Sequence, residues 1–106
     1  VFADAYRLYE KGEYSACIIS AYSELEYLIF SRHTDSWTRD YCLTNQAFRL
    51  SQYLKSHLES NNQDAYALFA LRNKIVHQRY VATEAEAHDF LHLVETVNED
   101  DCKKQE

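Results

Sequence analysis

Proline is absent from this sequence, and glycine occurs once, at Gly12. Small all-β domains turn through several glycines or prolines, because tight turns need positive φ or a pre-set φ. A chain of 106 residues with almost none of either must turn through Asn, Asp, Ser and Thr, which suits helices joined by short polar loops. The length is enough for one domain and too short for two. A hydrophobic fraction of 46%, with 14% aromatic residues, supplies a packed core and excludes global disorder. The expected fold is all-α.

Apolar periodicity divides the chain into five expected helices. The first covers about 2–11, with Phe2, Tyr6 and Tyr9 at helical spacing and Gly12 as its stop. The second covers about 13–32, where Ile18, Ala21, Tyr22, Leu25, Leu28 and Ile29 form the longest stripe, ended by the polar run 33–36. The third covers about 43–59, with Leu43, Ala47, Leu50, Leu54 and Leu58 on one face, before Ser60, Asn61 and Asn62 break it. The fourth runs from about Gln63 to His77 or slightly beyond. The fifth opens on a capping box, Thr83 and Glu86, and carries Ala87, Phe90, Leu91, Val94 and Val97. Short loops imply an antiparallel bundle over 1–97. The polar tail 98–106 is expected to fray. No repeat, low-complexity tract or interior linker is visible.

The formal charge of −6 argues against coating nucleic acid by bulk electrostatics, but leaves room for a small local basic site. Cys17, Cys42 and Cys102 form no CxxC pair, which fits a reducing, cytoplasmic setting. Cys17, inside an apolar pattern, reads as a small core residue. No apolar run approaches the ~20 residues of a membrane span, and no signal peptide is apparent. A start at Val1 and the lack of methionine are what a domain cut from a longer protein would have.

The stretch most informative about chemistry is 71–80, LRNKIVHQRY. Arg72 lies beside the apolar stripe of Leu68, Ile75 and Val76, and a core-facing arginine needs a partner. Asn73 and His77 are four apart and share a helix face. Arg72 and His77 are five apart, which turns them ~140° from each other, so one helix alone does not aim both at one point. Taken by itself this spacing also fits a plain arrangement, an arginine paired with a glutamate and a helix-end histidine favoured by the helix dipole.

The run Arg72-Asn73-Lys74-Ile75-Val76-His77 resembles the Arg-x4–6-His signature of the HEPN family, small helical bundles that carry it near the end of the fourth helix, often with Asn after the arginine. The likeness extends to Ala5-Tyr6-Arg7-Leu8, to Gly12-Glu13-Tyr14-Ser15-Ala16, to Ser23-Glu24-Leu25-Glu26 and to 83–87, and covers about 3–97. The resemblance implies metal-independent RNA cleavage in which the RNA's own 2′-OH is the nucleophile, with no cofactor. In that reading His77 moves a proton, a task suited to a side chain that titrates near neutrality. Arg72 binds the scissile phosphate, Asn73 orients the phosphate or the histidine, and Glu26 holds Arg72. Lys74 and Arg79 add local positive charge for RNA, although a solvated helix face accounts for them equally well. The resemblance further implies a homodimer with two motifs facing one cleft, and a place in a toxin–antitoxin, antiviral or RNA-processing system, with an antitoxin or a fused neighbouring domain as partner. One toxin branch continues the motif as His-x-Tyr with a regulatory tyrosine. Here that position is Arg79, and the tyrosine, Tyr80, comes one residue later, so that regulation is not carried over.

Two readings follow. One is a catalytic HEPN endoribonuclease. The other is a non-catalytic HEPN module for dimerisation or for nucleic-acid or nucleotide binding, which the overall acidity favours. Whether the chain is an enzyme is left open between them. His88 and His92, four apart with Glu95 near, lack a third strong ligand, and no metal site is expected. His33 and His57 read as surface residues. Tyr22 reads as core. Tyr14, Tyr27, Tyr41 and Tyr53 read as half-buried core or interface residues, with base stacking the alternative.

Overall fold

A computed structural model of the chain describes residues 1–32 and 62–105. These form four helices, α1 (Ala3–Glu10), α2 (Tyr14–Arg32), α3 (Asn62–Gln78) and α4 (Glu84–Gln105), with no strand among them. The helix expected over 43–59 lies outside the described residues, as do His33, Tyr41, Cys42, Tyr53 and His57.

The first helix begins at a residue with left-handed backbone. Phe2, expected inside the helix, instead precedes it with φ 63°. Its amide donates to Glu24 Oε2 at 2.7 Å, and its ring is buried. This tertiary anchor offsets the cost of positive φ in a residue with a Cβ. The helix stops as expected at Gly12, with φ 78°. There the Glu13 amide reaches back to the Leu8 carbonyl at 3.0 Å, a six-residue closure that glycine permits at low steric cost.

Along α2, Cys17, Ile18, Ala21, Tyr22, Leu25 and Ile29 are all buried. Their three- and four-residue spacing puts them on one stripe, and that stripe is the centre of the core. Ala5 of α1 packs against it, as do Leu68 and Ile75 of α3 and Ala87, Phe90, Leu91, Val94 and Val97 of α4. Val76, expected on the buried stripe of α3, is exposed.

The α3–α4 connection is held from three sides. Arg79 follows α3 with φ 54°, and the Tyr80 amide closes back to the Lys74 carbonyl at 3.2 Å. The Ala82 amide donates to Ser15 Oγ at 2.9 Å, tying the loop to the start of α2. The capping box then forms as expected. The Glu86 amide donates to Thr83 Oγ1 at 3.2 Å and the Thr83 amide to Glu86 Oε1 at 2.9 Å. Tyr80 Oη donates to the same carboxylate oxygen at 2.7 Å. These bonds, the Thr83 amide first, hold the Glu86 carboxyl below its ordinary range. Thr83→Ala is expected to cost about 1 kcal/mol, measured by urea denaturation. A change below about 0.3 kcal/mol would mean the cap is not formed in solution.

The end of α4 departs from expectation. The stretch after Val97, expected to fray, continues the helix to Gln105. Asp101 is buried, and Arg32 at the end of α2 donates to its Oδ2 at 2.9 Å. Arg32 also reaches the Asn98 carbonyl at 3.5 Å and the Asn98 side chain. A charge-assisted bond of this kind contributes about 1.5–3 kcal/mol, enough to hold a polar segment helical. Among the described residues no helix is long and apolar enough to cross a membrane.

Candidate functional site

The candidate residues lie on the C-terminal half of α3 and on the part of α2 it packs against. Leu68 and Ile75 bury one side of α3. Arg72 lies between them in sequence and is half-buried, while His77, in the last turn, is exposed. The core therefore sets the orientation of the arginine and leaves the histidine to solvent.

Among the described residues Arg72 meets three groups. Its guanidinium carbon stands 5.1 Å from the centroid of the Tyr22 ring, a cation–π contact. Its Nη1 donates to Asn73 Oδ1 at 3.1 Å. Its charge acts on Glu26, one turn beyond Tyr22 on α2. Burial pushes the Glu26 carboxyl up, and Arg72 pulls against that shift. Burial also drives the Tyr22 hydroxyl well above its ordinary range, with Glu26 adding to the shift and Arg72 opposing it. The structure thus places Asn73 and Tyr22 against Arg72 and puts Glu26 within reach of its charge. The sequence placed Tyr22 in the core but gave no sign that its ring faces an arginine. The available signal was the four-residue spacing of Tyr22 and Glu26, which puts both on one face of α2.

Tyr22 is 3% exposed, yet its hydroxyl has no hydrogen-bond partner among the described residues. An unsatisfied buried hydroxyl costs about 1–3 kcal/mol. Tyr22→Phe is therefore expected to leave stability unchanged or raise it by up to about 1 kcal/mol. A loss above about 1 kcal/mol on thermal unfolding would reveal a bond made by that hydroxyl.

The remaining expected site residues are placed differently. Lys74 turns to the other side of α3, its Nζ 5.4 Å from the Tyr80 ring centroid, and its charge acts on Glu86. Two residues along a helix turn a side chain ~200°, so Lys74 faces away from Arg72. Arg79 is exposed just past the helix end. His77 lies ~7.5 Å along the axis from Arg72 and ~140° around it. One copy of α3 therefore presents a held arginine and an exposed histidine on different faces.

A concave surface of about 280 Å³, apart from these residues, lies between α1 and α4, lined in part by Tyr6, Tyr9, Glu10, His88, His92 and Glu95. Tyr6 Oη donates to Glu95 Oε1 at 2.6 Å, and this bond pushes the Tyr6 hydroxyl up to about 12. Its carboxylates make it a poor seat for a phosphate backbone. Among the described residues no group of three or more His, Cys, Asp or Glu is placed to hold a metal ion. Of the expected half-buried tyrosines, Tyr14 is partly buried against the core, and Tyr27 is exposed. Compared with known proteins, the chain gives no significant match to a family model, a curated protein or a solved structure.

Proposed function

We propose that this chain is a HEPN-type domain acting as a metal-independent endoribonuclease, with Arg72, Asn73 and His77 as its site in a homodimer cleft. The observation that carries the reading is the half-buried Arg72, held by the Tyr22 ring, Asn73 and the charge of Glu26, on the same helix as the exposed His77. An arginine so fixed suits charge stabilisation, because its donors need no reorganisation as the reaction proceeds. An exposed histidine at a helix end suits proton transfer.

In the proposed reaction the RNA 2′-oxygen loses its proton and attacks the adjacent phosphorus. The bond from phosphorus to the 5′-oxygen breaks, leaving a cyclic phosphate and a 5′-hydroxyl that takes up a proton. His77 serves one of the two proton transfers. Arg72 neutralises the charge that builds on the phosphoryl oxygens, and Asn73 orients the phosphate or the histidine. A second copy of the chain brings the histidine and arginine faces of two α3 helices to one cleft. The RNA, the cytoplasmic setting and an antitoxin or fused domain as partner belong to this same proposal.

The test is a single-stranded RNA and its DNA counterpart of the same sequence, each incubated with the protein in EDTA. Cleavage of the RNA alone is expected, since the DNA lacks the nucleophile. Cleavage of both would overturn the 2′-OH mechanism. A second reading, a HEPN module without catalysis, is favoured by the charge of −6 and by Lys74 turning toward Tyr80, which thins the positive charge around Arg72.

A further inference from the structure

Arg72 is joined to its own helix and to a neighbouring one by different means. The hydrogen bond to Asn73 runs between adjacent residues of α3 and cannot tie the guanidinium to another helix. Glu26 acts on it through charge, a pull with little directional preference. The contact that fixes it across the α2–α3 interface is the Tyr22 ring, 5.1 Å away. That ring is itself locked, buried in the core with Ile18, Leu25 and Leu68. A free arginine side chain carries about 2 kcal/mol of rotamer entropy. A cation held against an aromatic face gives up part of that freedom before any ligand arrives.

We infer that Tyr22 is a positioning residue for Arg72: its ring, and not its hydroxyl, holds the guanidinium where it can meet a phosphate oxygen. The hydroxyl makes no hydrogen bond among the described residues and so adds nothing to the hold. Phenylalanine keeps the face that matters, and leucine fills much of the space without a face. The inference rests on Arg72 being the phosphate-binding residue of the proposed function.

The experiment uses Tyr22→Phe, Tyr22→Leu, Arg72→Ala and the double variant Tyr22→Leu/Arg72→Ala, with two readouts. In NMR, the Arg72 side-chain protons of the wild type lie upfield of ordinary arginine values because of the ring. They stay there in Tyr22→Phe and return in Tyr22→Leu. In RNA cleavage under EDTA, normalised to folded protein, Tyr22→Leu lowers kcat/KM about tenfold or more, and Tyr22→Phe changes it less than about twofold. The double variant falls no lower than Arg72→Ala, since a residue acting through Arg72 has nothing left to position. A purely packing role for Tyr22 would instead add its loss to that of Arg72→Ala. Unshifted Arg72 protons in the wild type, full activity in Tyr22→Leu, or additive losses would each overturn the inference. Wild-type protein that shows the shifted protons but cleaves no RNA would overturn the ribonuclease reading and leave the positioning contact standing.

Discussion

Replacing His77 by alanine is expected to lower RNA cleavage by about 10²–10⁴-fold, the range that a positioned acid–base group contributes. The fold should survive. His77 is exposed in the last turn of α3, and truncating a surface side chain usually changes stability by less than about 0.5 kcal/mol. Loss of activity with an unchanged melting temperature and unchanged molecular mass in solution would place the defect in chemistry. Arg72→Ala is less clean, because it also removes the half-buried partner of Glu26 and Tyr22. Retained cleavage in His77→Ala would remove the histidine from the mechanism.

The largest loss of stability near the site is expected from Leu68→Ala. Leu68 is fully buried and belongs to the core cluster with Leu25 and Val94. Truncation leaves a cavity between α3 and its neighbours, at a cost of about 3 kcal/mol. For a domain of this size that lowers Tm by more than about 10 °C. The remaining folded protein should still cleave RNA when assayed well below that temperature, since Arg72, Asn73 and His77 are all retained. A loss below about 1 kcal/mol would mean that α3 does not dock through Leu68 in solution.

These two substitutions separate what was legible in the sequence from what was not. The α2 stripe from Cys17 to Ile29 was legible because one long run of evenly spaced apolar residues decides its own buried face. The stop at Gly12 and the box formed by Thr83 and Glu86 were legible because each is a local device with a fixed residue spacing. The reach of α4 to Gln105 was not. Residues 98–105 are polar, and their helix is held by Arg32, 69 positions away from Asp101. The exposure of Val76 was hidden for the same reason, since periodicity marks a stripe but not how wide a strip its neighbours cover. At the candidate site, Arg72 was legible as a core-facing arginine in need of a partner. That its ring contact is Tyr22, and that Lys74 turns to Tyr80 instead, depends on how α2, α3 and α4 pack, which no local pattern encodes.

The most direct measurement places purified wild-type protein and His77→Ala side by side with a mixed RNA pool in EDTA, followed by analysis of the new ends. The expected result is cleavage by the wild type alone, with 5′-hydroxyl ends. No cleavage by well-folded wild-type protein, or equal cleavage by both proteins, would contradict the assignment of this helix as a ribonuclease site.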